Sequence, residues 1–291
     1  MGPIGGCLTG RRVILRSDDS DAVLPGQWRH FMAHELTHFL QPGRLPHLPP
    51  WLMEGLAEDI ASRCEAQTCP EGAFGRWLRA ARRRREILPT DRVLGMSYEL
   101  LSVAFDDWMS PRLSTMVYAF YAQSLILVRH LALTDGDGFR RFLLGFTRPT
   151  DVGTWWTTCF KRTSDQVLQE ALAGCEAGVN TPVPAPTVGF RLHADGVLLP
   201  AVKSRASLSD VRRGALRALG RAGYDYGVEA LIEVLADPRD PMREEARYAL
   251  EDLSGESFGD DEAAWRAHWE ASRRVRDAAA PAPAPGPISE S

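Results

Sequence analysis

The chain has 291 residues, 44% of them hydrophobic and 25% charged, with a formal net charge of −4. At about 150 residues per domain, that length accommodates an enzyme-sized core plus a smaller second unit, and the composition is that of a folded globular chain. The slight acidity carries no electrostatic footprint for nucleic acid or an anionic membrane, so neither is expected as a partner.

The run Arg82-Arg83-Arg84-Arg85 is the local exception. It reads as a solvated helix face or helix end, because blocks of like charge carry little specificity. The longest apolar stretch, Met116 to Val128, is broken by Gln123 and Ser124; it is shorter and more polar than the roughly 20 residues of a membrane span, so no span is expected. Met1 to Gly10 has neither the basic nor the apolar region of a secretion leader, which makes a cytoplasmic location the default unless the N-terminus is truncated. Five cysteines, an odd number, argue against a complete disulfide framework, and Cys64 and Cys69 are expected as unpaired thiols.

In chain order, Arg11 to Ser17 reads as a short strand around Val13-Ile14, and Asp18 to Gly26 as a polar loop. From Gln27 to Leu40 the residues Trp28, Phe31, Met32, Leu36 and Phe39 recur at helical spacing, and Gln41-Pro42-Gly43 ends the helix. A proline-rich loop leads to Pro50 and a second helix, Trp51 to about Ser62. Further helices are predicted around Phe74 to Ile87, Thr115 to Leu133, Gly138 to Phe146 and Ser164 to Ala173.

The stretch Asn180 to Pro186 marks a linker, taken as residues 179–204. Beyond it, Arg212, Ala215, Ala218 and Leu219 recur as Arg243, Ala246, Ala249 and Leu250, a period of 31. Paired helices with small residues at the contact resemble HEAT-type repeats, assigned to residues 205–275; a small helical bundle is the plainer alternative. Trp265 and Trp269, four apart, are expected to close its core as a capping helix. Residues 276–291 form an Ala/Pro-rich tail expected to be disordered.

The chemistry lies in His34-Glu35-Leu36-Thr37-His38 on the first predicted helix. A four-residue step turns slightly past one revolution, so both imidazoles leave one face and can bind one ion. Glu35, one step round, then reaches a water on that ion as general base. A third ligand must come from elsewhere. His47 lies in the proline-rich loop, whereas Glu54 and Glu58 are four apart on one face of the following helix.

The segment Pro50-Trp51-Leu52-Met53-Glu54-Gly55-Leu56-Ala57-Glu58 resembles the W-L-x-E-G-x-A segment of gluzincin zinc metallopeptidases, in both the aminopeptidase-N family and the peptidase-MA-like group. The resemblance implies that Glu54 is the third zinc ligand and that Glu58 holds a histidine from behind, His34 by preference. Between His38 and Glu54 lie 15 residues, slightly fewer than in the aminopeptidases. The helix beginning Tyr121-Ala122-Gln123-Ser124 is similar to the one that carries the oxyanion-binding tyrosine in that family, which makes Tyr121 the candidate; Tyr118 and Tyr98 are read as structural.

The fold class implied is mostly α: a zincin-like catalytic domain over residues 1–178 with a small β element, then the helical HEAT-like domain. The implied activity is peptide-bond hydrolysis with one Zn2+ per chain. Aminopeptidases hold the substrate amine with a glutamate ahead of the zinc helix, and this chain has no Glu before Glu35; an endopeptidase is expected. The strands that usually precede the zinc helix are reduced to one, which suggests an N-terminally truncated member. Partners are then a peptide or protein substrate and a protein recruited by the repeats. The alternatives are an inactive zinc-binding pseudo-peptidase and a scaffold built on the repeats.

Overall fold

The computed structural model describes residues 6–9, 12–15, 25–40, 45–64, 71–106, 111–177, 191 and 194–279. These are mostly helical. The exception is an antiparallel pair, β1 (Gly6–Thr9) and β2 (Arg12–Leu15), in register from Gly6 opposite Leu15 to Thr9 opposite Arg12. The strand expected over Arg11 to Ser17 is thus shorter and has a partner. The Asp18–Gly26 loop lies outside the described residues up to Pro25, where α1 (Pro25–Leu40) begins. A proline in the first turn lacks an amide that would have no helical partner anyway.

The first unit continues with α2 (Pro50–Cys64), α3 (Glu71–Arg84), α4 (Thr90–Leu94), α5 (Tyr98–Asp106), α6 (Pro111–Thr134), α7 (Gly136–Gly145), α8 (Val152–Phe160) and α9 (Ser164–Ala177). Its core gathers Trp51, Trp77, Phe120, Leu127, Leu131, Phe142 and Phe146 around α6. Contrary to the reading of its apolar run, α6 over Thr115–Thr134 is long and apolar enough to cross a membrane, by length and composition. Its apolar residues are spent on neighbouring helices instead: from Ala119 to Val128 every residue but Tyr121 is buried, with α2, α5, α7 and α9 against it. α3 ends at Arg84, ahead of the expected Ile87. Arg85 takes a left-handed φ of 60° while the Glu86 amide donates back to the Ala81 carbonyl at 2.8 Å, the hydrogen bond of a helix C-cap.

The second unit begins earlier than expected. Of the predicted linker, residues 179–190 and 192–193 lie outside the described residues, but a π-helical turn Ala194–Leu198 and α10 (Leu199–Lys203) are folded. Ala194, Leu198 and Val202, four apart, are buried in the second core, so this stretch belongs to the domain. Pro200 lies in the first turn of its helix, where it costs no helical hydrogen bond. There follow α11 (Ser209–Arg221), α12 (Val228–Ala236), α13 (Arg243–Ser254) and α14 (Glu262–Ala279). The tail expected from residue 276 begins no earlier than 280, and residues 280–291 lie outside the described residues.

The two arginines of the repeat do the same work. Arg212 Nε donates to the Val202 carbonyl at 2.8 Å, and Arg243 Nε to the Leu235 carbonyl at 2.9 Å. Each satisfies a carbonyl at the end of the helix before it. α11 and α13 pack through small residues: a Cβ on Gly220 would stand 2.7 Å from Ala249 Cα. Trp265 and Trp269 on α14 are buried in this core.

The arginine run is not simply a solvated face. α3 lies against α13, where Arg84 Nη1 donates to Glu251 Oε2 at 3.1 Å and Nη2 to Asp252 Oδ1, while its guanidinium covers the Tyr248 ring. Arg83 Nη2 donates to the Gly255 carbonyl at 2.7 Å, and Arg79 Nη1 to Glu256 Oε1 at 2.8 Å. The run reads as solvated because its acidic partners lie some 170 residues on, as the separations of 167 and 168 for Arg84 show.

Candidate metal centre

α1 and α2 lie face to face, and each delivers its side chains for a local reason. The four-residue step on α1 sets the His34 and His38 rings 4.7 Å apart, edge to face at 78°. Thr37 bonds back to the Ala33 carbonyl at 2.7 Å, which uses up its hydroxyl within the helix. On α2, Trp51 and Leu52 enter the core, Trp51 beside Phe142 and Trp156, and that anchoring turns Glu54 and Glu58 toward α1.

Gly55 explains the Glu-Gly pair of the motif. A Cβ there would stand 2.5 Å from the Ser124 carbonyl oxygen and 2.7 Å from Val128 Cγ2, so α2 and α6 touch backbone to backbone just behind Glu54. Gly55→Ala is expected to push the helices apart at a cost of about 1–3 kcal/mol and to weaken metal binding with it. Denaturant titration of parent and variant measures the first, and an unchanged midpoint would show that α6 yields freely.

Nε2 of His34 and Nε2 of His38 are 3.0 Å apart, and Glu54 Oε2 lies 3.3 Å from the first and 3.2 Å from the second. Ligands held at about 2.0–2.1 Å on a tetrahedral ion stand about 3.3–3.4 Å from one another, so this triangle fits zinc with little adjustment. Glu54 Oε2 is buried with no hydrogen-bond partner. Glu58 Oε1 lies 3.2 Å from His34 Nδ1; by accepting that N–H it leaves the lone pair of Nε2 facing the triangle. Two ring nitrogens and a carboxylate oxygen in this arrangement repel unless a metal ion or a proton stands among them. Burial works against a charged His34, but Glu54 and Glu58 outweigh it and push the ring up to about 10. Burial likewise opposes ionisation of Glu54, and the two imidazoles overcome it, holding the carboxyl at about 2.

Glu35 is buried beside the triangle. Burial pushes its carboxyl up against the pull of His34 and His38. Tyr121, on α6, places its ring 6.3 Å from that of His34. Burial first, then the Glu54 and Glu58 carboxylates, push its phenol well above the ordinary value, so it stays a donor. Tyr118 lies elsewhere on the helix, packed on Phe74 and Trp77 under the Arg221 guanidinium. His47 is exposed and takes no part in the triangle, which is the one His, Cys, Asp and Glu cluster fit for a metal among the described residues. Cys69 and the side chain of Cys64 lie outside the described residues.

Tyr98, read from the sequence as structural, reaches the candidate centre. Its hydroxyl donates to Glu54 Oε1 at 3.0 Å and sits 3.2 Å from Met53 Sδ. Partial burial of the hydroxyl end, and then the Glu54 carboxylate, raise its phenol above the usual range. No sequence signal marks it, because the contact depends on α5 returning to α2 in three dimensions. In comparisons with known families, curated proteins and solved structures, no family model, no curated protein and no solved structure matches the chain.

Proposed function

We propose that this chain is a zinc-dependent peptidase of the gluzincin type, in the peptidase-MA-like group, acting as an endopeptidase on peptide or protein substrates. The observation that carries the reading is the triangle of His34 Nε2, His38 Nε2 and Glu54 Oε2, with sides of 3.0 to 3.3 Å and Glu35 buried next to it. A metal-free structural role would need neither three converging ligand atoms nor a further acid beside them.

His34, His38 and Glu54 would hold the ion, with Glu58 orienting His34 through Nδ1. When bound, zinc supplies Lewis acidity, which lowers the pKa of water toward neutrality and polarises a carbonyl. Glu35 takes the water's proton on a carboxylate oxygen and passes it to the departing amine nitrogen; its raised pKa suits it to both acts. Tyr121, kept protonated by burial, donates to the carbonyl oxygen as that atom gains charge. The helical second unit, HEAT-like in its repeat, is the natural surface for a protein partner, an assignment by analogy of fold.

Purified protein should retain about one zinc ion per chain and release peptides from an unfolded protein substrate. Zinc must displace the proton that His34 carries when its pKa stands at about 10. Affinity therefore rises as pH rises toward that value, and binding at neutral pH releases about one proton. The metal-free chain responds in the opposite sense. Stability from the charged His34 is fully present below its unfolded value of 6.5 and is lost as pH rises through about 10. Calorimetry in buffers of different ionisation enthalpy counts the proton. Zinc without turnover would identify a pseudo-peptidase, and no zinc uptake would leave the scaffold reading.

A further inference from the structure

Glu54 divides its two oxygens between different neighbours. Oε2 faces His34 and His38 at 3.3 and 3.2 Å, while Oε1 accepts the Tyr98 hydroxyl at 3.0 Å; the Tyr121 hydroxyl also reaches this carboxylate. A carboxylate with both oxygens free can rotate and offer the pair to one ion. With Oε1 tied to a phenol, only Oε2 is left to offer.

The way Tyr98 is mounted suits that task. It is the first residue of α5, whose placement is secured by Met96 on one side and Leu101 on the other, 6% and 2% exposed. The backbone turn is tied by the Leu101 amide donating to the Ser97 carbonyl at 3.1 Å and the Leu100 amide to Ser97 Oγ at 3.3 Å. Tyr98 itself is 44% exposed. Its ring is therefore not what fills the core there, and the neighbours fix where its hydroxyl points.

We propose that Tyr98 is a positioning residue that holds Glu54 to single-oxygen ligation and thereby sets the metal affinity of the centre. This deepens the metal-site reading above and rests on it. The hydrogen bond withdraws some charge from the carboxylate, but orienting partners of metal ligands are typically worth about 10–100-fold in affinity, so the gain from orientation dominates.

Tyr98→Phe removes the hydroxyl and keeps the ring; its metal-free melting temperature should match the parent's. Zinc affinity, read by competition with a chromophoric chelator, should fall about 10–100-fold. Cobalt(II), loaded in place of zinc, reports coordination through its visible absorption. The variant's bands should weaken and move to shorter wavelength as Glu54 adds its second oxygen, a change that a purely structural tyrosine would not cause. Tyr98→Leu, which also lacks the hydroxyl, takes the place of the phenylalanine variant if that one misfolds. Zinc affinity equal to or above the parent's, or an unchanged cobalt spectrum, overturns the role of Tyr98 while the centre stands. A parent chain that binds neither metal overturns the centre and Tyr98 together.

Discussion

Glu35→Gln should keep its zinc and lose about 10²–10⁴-fold in kcat, the usual worth of a positioned general base. That loss is about 3–5 kcal/mol of transition-state stabilisation. The amide matches the carboxylate in size and cannot accept a proton from water. Because the residue stands beside the ligand triangle and not in it, metal content should not follow activity down. The parent's own pH profile checks the same group from another side. Burial raises the Glu35 carboxyl above 4.5, and a base works only when ionised. The rate should therefore fall as pH drops through that raised value, and the glutamine variant should lack this limb. Equal turnover in parent and variant, at equal zinc content, would take Glu35 out of the mechanism.

The local part of the site is legible in the sequence. The His34, Glu35 and His38 spacing is a property of one helix, and the pairing of Glu54 with Glu58 a property of the next. How the two glutamates divide the work is less so. Helical spacing puts both on one face, and only the resemblance separated them. In the structure Glu54 Oε2 meets both Nε2 atoms and Glu58 meets Nδ1, a division set by the crossing of α1 and α2. Gly55 was visible as a motif letter, but its reason, the Ser124 backbone behind it, is a tertiary contact. Tyr98 left no trace at all.

The fold shows the same boundary between local and non-local information. α8 went unread because Val152-Gly153-Thr154-Trp155-Trp156-Thr157-Thr158 is rich in β-branched and aromatic residues, which favour strands. Asp151 decides otherwise: its side chain accepts the Thr154 amide at 2.7 Å, and Trp156 drives the helix into the core at 2% exposure. The sequence reads as a helix over α6, with Gln123 as a polar interruption in its middle. Gln123 is buried completely, because its amide donates to the Leu88 carbonyl at 2.9 Å and accepts the Leu88 amide at 2.8 Å. A buried side chain that completes a distant backbone looks in the sequence like any polar residue.

Arg84→Ala should be strongly destabilising although it lies away from the candidate metal centre. The Arg84 side chain is 12% exposed, and its two acidic partners across the unit boundary, Glu251 and Asp252, are 8% and 5% exposed at their side chains. Removing one partner of a buried ion pair leaves charge without compensation and typically costs about 3–5 kcal/mol. Burial already pushes the Asp252 carboxyl up, held in check by Arg84 and Arg221; without Arg84 it should take up a proton more readily. The penalty should therefore be greatest at neutral pH and shrink as pH falls and Asp252 becomes neutral. Arg274→Ala supplies the control, since its ion pair with Glu270 is exposed at both ends, 80% and 64%, and should move stability by no more than about 0.5 kcal/mol. The effect should also reach α6. Arg221, next to Asp252, lies 4.7 Å over the Tyr118 ring and donates to Thr115 Oγ1, on the helix that carries Tyr121. Denaturant midpoints across pH, with zinc affinity measured alongside, test both parts. Equal losses for Arg84→Ala and Arg274→Ala would mean that the two units only touch. A loss for Arg84→Ala that grows as pH falls would mean that the buried carboxylates carry none of the cost.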